Sequence, residues 1–167
     1  MPIVYRGRVF SVEVETRRLP GGGDHEVAIV RHPPSVVLIP MPDAGHVILV
    51  RQYRHSLGRE LWELPAGSLE AGESASEAAA RECEEEIALR PGHVERLISL
   101  YPTPGYCDEE MIFFRVSDLR QPPADSPHKP DDDEEILARE VTIAEARAMV
   151  QRGDIIDLKT AYGLTLI

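Results

Sequence analysis

Three glutamates stand close together near the middle of the chain, at a spacing that suits one face of a helix. Glu82, Glu85 and Glu86 occupy positions i, i+3 and i+4, so a helix would place them within an arc of about 100°. Carboxylates this close repel one another unless water or a cation neutralises them. Because hard oxygen ligands suit Mg²⁺ or Mn²⁺, the pattern indicates either a divalent-cation site or a solvated acidic face.

The residues around these glutamates favour the cation site. A glycine is followed by five residues, a glutamate, seven residues, and an Arg-Glu pair that leads into the two further glutamates. This spacing closely resembles the Nudix box. The matching residues are Gly67, Glu73, Arg81, Glu82, Glu85 and Glu86.

Two positions depart from the family pattern. Ala88 stands where the family has glycine, and Cys83 occupies an apolar position. If Ala88 ends the helix with a positive φ, the strain costs about 1 kcal/mol; otherwise the helix continues to Leu89 and stops at Pro91 and Gly92. Buried cysteine packs as a small hydrophobe, so we expect no reactive role for Cys83. Neither departure removes a carboxylate.

The resemblance implies a role for each residue of the box. Glu82 and Glu86 are the expected metal ligands, with Glu85 beside them and the carbonyl of Ala66 as a backbone ligand. The implied reaction is attack of water on one phosphorus of a nucleoside diphosphate linked to another group, with Mg²⁺ or Mn²⁺ neutralising the diphosphate. The structural residues of the box are Gly67, Glu73 and Arg81, of which the last two form a salt bridge that fastens the loop to the helix.

Segments outside the box are similar to the ADP-ribose pyrophosphatase branch of the family. Residues 50–54 read Val-Arg-Gln-Tyr-Arg, residues 63–67 read Glu-Leu-Pro-Ala-Gly, and Pro104 follows Leu89 by fifteen residues. The resemblance implies ADP-ribose as the substrate, and it favours Arg54 for contact with the diphosphate. The expected substrate-binding residues are Arg51, Arg54, Pro104, Gly105 and Glu109.

Other substrates and one other class of function fit parts of the same pattern. Hydrolases of GDP-mannose and related nucleotide sugars share much of it, and NADH or a damaged nucleotide would undergo the same chemistry. A nucleotide-sensing Nudix module without turnover would lack box glutamates, whereas this chain has all of them. We therefore expect an enzyme.

A proline- and aspartate-rich segment precedes the last predicted strand. Residues 131–135 are five consecutive acids, and such a run is more often solvated than catalytic in an arbitrary chain. By resemblance, one glutamate of this loop acts as the general base. The matching residue is Glu134, with Glu135 as the competing position and Glu85 of the helix as a further candidate.

Composition limits the classes of partner. The chain has 167 residues with 29 acidic and 18 basic side chains, which give a net charge of −11. No basic stripe favours nucleic acid, no apolar run is long enough for a membrane span, and the N-terminus lacks the profile of a signal peptide. The two cysteines form no disulfide framework. We therefore expect a cytoplasmic protein that binds a small nucleotide sugar and neither nucleic acid nor membrane.

Interleaved strands and helices predict an α/β (α+β) fold. The resemblance implies a Nudix-type α/β/α sandwich with a mixed β-sheet, built as one domain of residues 1–167. Residues 1–31 read as an N-terminal β-hairpin, which is marginally stable alone and is expected in the interface of a homodimer. Strands are predicted at residues 4–13, 26–30, 35–39, 46–53, 94–101, 111–116 and 136–141, and helices after Gly72, at 143–152 and over 159–167.

Overall fold

The computed structural model describes residues 3–128 and 136–167, which form ten strands and three helices. The strands are β1 (Ile3–Arg6), β2 (Ser11–Arg18), β3 (Asp24–Arg31), β4 (Ser35–Pro40), β5 (His46–Arg54), β6 (Arg59–Glu63), β7 (Ala66–Ser68), β8 (His93–Leu100), β9 (Met111–Ser117) and β10 (Leu137–Thr142). The helices are α1 (Ala75–Ile87), α2 (Ile143–Arg152) and α3 (Leu158–Gly163). Within the described ranges, none of the helices has the length and apolar character needed to cross a membrane.

The N-terminal strands form a separate antiparallel sheet in the order β1-β2-β3. The prediction of one continuous strand over residues 4–13 is wrong, because a turn closed by a hydrogen bond from Gly7 N to Phe10 O divides it. Gly22 and Gly23, both with positive φ, build the turn between β2 and β3. The predicted hairpin is therefore present and carries a third strand at its edge.

Two further sheets form the centre of the molecule. One has the order β10-β5-β6 and is antiparallel, and the other has the order β7-β4-β9-β8, with β4 and β9 parallel. β4 is buried throughout its length. Its alternate side chains serve two cores: Val36 and Leu38 pack in the cluster that contains α1, whereas Val37 and Ile39 pack in the cluster that contains α2 and residues of the C-terminal end. This layering confirms the predicted sandwich with a mixed sheet.

α1 begins as its sequence predicts. The Ser74 hydroxyl accepts a hydrogen bond from the Glu77 amide, and the Glu77 carboxylate accepts one from the Ser74 amide, which is the expected capping box. The helix ends at Ile87 and does not continue to Pro91, because Ala88 adopts a left-handed conformation with φ 55°. Alanine is strained there by about 1 kcal/mol relative to glycine.

The remaining predicted elements lie within one to two residues of the observed ones, except at the C-terminus. α2 has the predicted bounds and is followed by Gly153 at φ 81°. The last helix begins at Leu158, is capped by Asp157, and ends at Gly163, so the continuation to residue 167 is wrong. The short strands β6 and β7 were not predicted; they pair with β5 and β4, respectively.

Candidate active site

A cavity of about 680 Å³ collects side chains from distant parts of the chain. Its lining comes from β4, β5, β6, β7, β9, α1 and α3, together with connecting residues that include Val9, His32, Glu109 and Ile136. A nucleotide-sized ligand requires a volume of this order, since ligand sites typically measure about 300–1,000 Å³. Glu82, Glu85 and Glu86 all lie on its wall.

These three residues, here named the box cluster, are held by α1 against β7. Glu82 is buried, and the Glu86 carboxylate accepts a hydrogen bond of 3.1 Å from the Ala66 amide. Gly67 makes this arrangement possible, because a Cβ at that position would lie 1.9 Å from Glu82 Oε1. Any residue other than glycine would displace the carboxylate.

Arg81 connects the loop before α1 to the helix. Its guanidinium donates to both oxygens of Glu73 at 2.9 and 3.0 Å, and to the Ser68 carbonyl at 3.1 Å. It also donates to Glu82 and Glu85, each at 2.7 Å. Hydrogen bonds from Arg81 lower the pKa of Glu73 despite its partial burial. Arg81 thus offsets part of the repulsion within the box cluster and orders the loop between β7 and α1.

A second group of potential ligands lies outside the cavity. Asp43, His46 and Glu140, here named the edge cluster, have ligand atoms within 4.8 Å of one another. They lie in the turn before β5, at the first residue of β5, and on β10. Asp43 accepts hydrogen bonds from the Gly45 amide and from His46 Nδ1.

Arg54 and Arg51 extend from opposite faces of β5, as strand alternation requires. Arg54 lines the cavity and donates two hydrogen bonds to Glu63, of 2.7 and 2.6 Å. Arg51 pairs with Glu60 and is absent from the lining of the cavity among the described residues.

Of the other predicted substrate-binding residues, one lines the cavity and two do not. Glu109 lines the cavity and accepts a hydrogen bond of 2.7 Å from the Ser35 hydroxyl. Pro104 and Gly105 belong to the loop before β9 and do not appear among the described lining residues. The structure therefore brings Arg54 and Glu109 to the box cluster and leaves Arg51, Pro104 and Gly105 outside it.

Glu134 and Glu135 lie outside the described residues. On the N-terminal side of that segment, Ser126 donates a hydrogen bond of 2.5 Å to Glu84, a buried residue of α1. On its C-terminal side, Ile136 lines the cavity. The described residues on both sides of the acidic segment thus contact α1 or the cavity that it lines.

Several cavity residues were missed from the sequence. Glu63, Asp157 and Lys159 line the cavity and form ion pairs, and the Ser35 hydroxyl donates to Glu109. Glu63 and Lys159 are 96 positions apart, so no local spacing signals their contact. For Cys83 the expectation of an inert thiol agrees with the structure, since burial raises its pKa to about 12.

A family model described as NUDIX domain matches residues 31–159, which include every described residue of the box cluster, together with Arg54 and Lys159. The chain belongs to the Nudix family. It is 34% identical to the ADP-ribose pyrophosphatase of Bacillus subtilis (strain 168) over 161 residues, which are 96% of this chain and 86% of that protein. It is 36% identical to the ADP-ribose pyrophosphatase of Mycobacterium tuberculosis (strain ATCC 25618 / H37Rv) over 165 residues, 98% and 79% of the two chains.

A solved structure supports the architecture of this Nudix chain. The crystal structure of an ADP compounds hydrolase superposes with a TM-score of 0.80 and covers 99% of this chain and 88% of that one. Its sequence identity is 24%, so this likeness concerns the fold.

Proposed function

We propose that this Nudix protein is a divalent-metal-dependent hydrolase of the pyrophosphate bond in ADP-ribose or a related nucleoside diphosphate sugar. The products are AMP, or another nucleoside monophosphate, and a sugar phosphate. One observation carries the proposal: the three carboxylates of the box cluster share a cavity with the Arg54 guanidinium. Carboxylates attract the cation that a diphosphate requires, and a guanidinium matches phosphate oxygens.

The donor set at the box cluster fits a hard divalent cation. Glu82, Glu85, Glu86 and the carbonyl of Ala66 are the proposed ligands for Mg²⁺ or Mn²⁺. When bound, the cation would neutralise the diphosphate and lower the pKa of a coordinated water. Gly67 leaves room for the Glu82 carboxylate, and the Arg81–Glu73 ion pair joins the loop to α1. These three residues are proposed to support the site without contacting the substrate.

The protein side chains bind the substrate and move the proton. Arg54 is proposed to donate to the diphosphate, and Glu109 to bind the remainder of the substrate near the loop of Pro104 and Gly105. We propose Glu134 as the general base that accepts a proton from the attacking water, with Glu135 and Glu85 as the competing candidates. A base near the cavity is consistent with the position of Ile136 in its wall.

ADP-ribose is favoured over other nucleotide sugars because two relatives that cover almost the whole chain are ADP-ribose pyrophosphatases. GDP-mannose, NADH and damaged nucleotides are the alternative substrates. The decisive assay measures release of the nucleoside monophosphate from a panel of these compounds, with and without Mg²⁺. Mg²⁺-dependent AMP release from ADP-ribose at the highest kcat/KM supports the proposal, and preference for another compound assigns the enzyme to that substrate.

We also propose that the chain acts as a single Nudix domain, residues 1–167, in a cytoplasmic homodimer. The N-terminal sheet and its β1–β2 turn support dimerisation, because they expose apolar side chains that a second copy would cover. These include Val4, Tyr5, Val9 and Phe10, each at least 40% exposed. Light scattering that reports 18.6 kDa, the mass of one chain, across micromolar concentrations would contradict the dimer.

A further inference from the structure

Four charged side chains of alternating sign lie in contact with one another on the wall of the cavity. Arg54 on β5 pairs with Glu63 on β6, Glu63 contacts Lys159 on α3, and Lys159 pairs with Asp157 at 3.0 Å. All four line the same cavity as the box cluster. We name this chain of ion pairs the charge ladder.

Burial in the charge ladder differs sharply between its inner and outer members. The side chains of Glu63 and Lys159 are only 2% and 8% exposed, whereas that of Arg54 is 37% exposed. A carboxylate is costly to bury with a single cation, and the second cation reduces that cost. Burial raises the pKa of Glu63, but hydrogen bonds from Arg54 and the charge of Lys159 outweigh it and lower the pKa overall. Glu63 therefore stays ionised at neutral pH.

The ionised Glu63 orients the Arg54 guanidinium. It accepts hydrogen bonds from Nε and Nη2, which fixes one edge of the planar group. Among the described residues, Nη1 makes no hydrogen bond to a protein group. A guanidinium anchored along one edge in a cavity can offer its remaining donors to a phosphate with little further loss of side-chain entropy.

The C-terminal helix fixes the other end of the ladder. Asp157 caps α3 by accepting hydrogen bonds from the Thr160 amide at 2.9 Å and hydroxyl at 2.5 Å. The Thr160 side chain, which is fully buried, in turn accepts a hydrogen bond of 2.7 Å from the Leu64 amide. Leu64 directly follows Glu63, so α3 holds both Lys159 and the backbone beside Glu63.

A second pair on the same two strands provides an internal comparison. Arg51 and Glu60 belong to the register pairs next to those of the ladder, and they form the same kind of ion pair on the opposite face. Their side chains are 41% and 50% exposed, and neither residue lines the cavity among those described. If these ion pairs only stabilise the pairing of β5 with β6, loss of either pair should have the same effect. If Arg54–Glu63 serves ligand binding, only loss of that pair should weaken binding.

We propose that Glu63 and Lys159 are positioning residues that hold Arg54 toward the diphosphate of the substrate. This inference rests on the proposed function and extends it, because it assigns the last helix to the binding site. Without Lys159, the carboxylates of Glu63 and Asp157 would repel each other, and Glu63 would no longer be fixed against Arg54. Arg54 would then lose its fixed orientation.

The test compares Glu63→Gln and Lys159→Met with the matched control Glu60→Gln. Steady-state kinetics with ADP-ribose and Mg²⁺ give kcat and KM, and calorimetry with ADP as a non-sugar diphosphate probe gives Kd without turnover. We expect KM and the Kd of ADP to rise together by about tenfold in both ladder variants, the loss of roughly one charge-assisted contact. The control keeps wild-type values, and Lys159→Arg restores most of the affinity.

A further variant and a stability measurement keep the result interpretable. The double variant Glu63→Gln/Lys159→Met removes one charge of each sign and avoids an unpaired buried charge. Thermal unfolding identifies folded variants. Wild-type KM and Kd in a folded ladder variant, or an equal loss in Glu60→Gln, would overturn the proposal. Failure of wild-type protein to hydrolyse ADP-ribose and every other compound of the panel would instead overturn the proposed function, since ADP binding is measured independently.

Discussion

The box cluster and the edge cluster contain similar ligand groups in different surroundings. Each brings three groups that suit a divalent cation: Glu82, Glu85 and Glu86 on α1 in one case, and Asp43, His46 and Glu140 near the start of β5 in the other. In the box cluster Glu82 is buried, whereas the Asp43 side chain in the edge cluster is 58% exposed. Ligand composition is thus comparable, but access to solvent is not.

The box cluster also differs from the edge cluster in the positively charged side chains around it. Arg81 contacts the box cluster directly, and Arg54 and Lys159 line the same cavity. A polyanionic substrate would meet both the proposed metal ligands and fixed positive side chains there. Among the described residues, the edge cluster has one ion pair, between Asp43 and His46. The comparison teaches that a cavity with complementary charge, rather than a set of ligands, distinguishes a candidate active site.

The largest expected effect comes from replacing a carboxylate by the corresponding amide, a change that can be made in either cluster. Glu82→Gln and Glu86→Gln should each lower turnover by orders of magnitude, because each removes a proposed charged metal ligand while hardly changing helix propensity. Asp43→Asn and Glu140→Gln, the matched changes in the edge cluster, should leave turnover within about twofold. Kinetics at limiting Mg²⁺ and titration of bound Mn²⁺ by electron paramagnetic resonance measure both effects.

Chelation supplies the control for this first comparison. EDTA should abolish activity without unfolding the protein, since a chain of this length can supply its own hydrophobic core. A loss of turnover in Asp43→Asn equal to that in Glu82→Gln would place the functional metal at the edge cluster.

Loss of the proposed general base should give the next largest effect. Glu134→Gln should lower kcat by roughly 10² to 10⁴ with little change in KM, the usual range for loss of a general base. Glu135→Gln should have a much smaller effect. Measurement of both variants at saturating Mg²⁺ across pH separates them. A near-normal Glu134→Gln with a severely impaired Glu135→Gln would move the role by one residue, and normal rates in both would leave Glu85 as the candidate.

The helix that carries the box cluster has a strained end, and removal of that strain should stabilise the fold. Ala88 has φ 55°, so Ala88→Gly should raise the free energy of unfolding by up to about 1 kcal/mol. Urea denaturation measures the change. Gly153→Ala, which places alanine at φ 81° after α2, is the reciprocal control and should destabilise the protein. A destabilised Ala88→Gly variant would show that the methyl group contributes more than the strain costs.

The smallest effect is expected from the pH dependence of the edge cluster. A hydrogen bond with Asp43 raises the pKa of His46 above its ordinary value of 6.5 and lowers that of Asp43. The resulting stabilisation is fully present below pH 6.5 and disappears as pH rises through the raised pKa of His46. Thermal unfolding of wild type and His46→Gln from pH 5 to 9 should therefore converge at high pH. A constant difference across this range would contradict the ion pair.

Local patterns in the sequence predicted the elements that depend on near neighbours. The capping box of Ser74 and Glu77 requires groups only three residues apart, and the box cluster requires only helical periodicity. Turn residues and β-branched segments likewise located most strands within two residues. Short strands such as β7 escaped prediction, because three residues carry no measurable periodicity.

The amino-acid sequence by itself determined the Nudix box and, with it, the family, because the spacing of glutamates on one helix is a local property. The tertiary structure alone decided which carboxylate Arg54 meets in the cavity. It also brought Lys159 to Glu63 across 96 positions and left Asp43, His46 and Glu140 on an exposed edge. The physical reason is that burial and charge pairing depend on contacts between distant segments, whose energies no local pattern encodes.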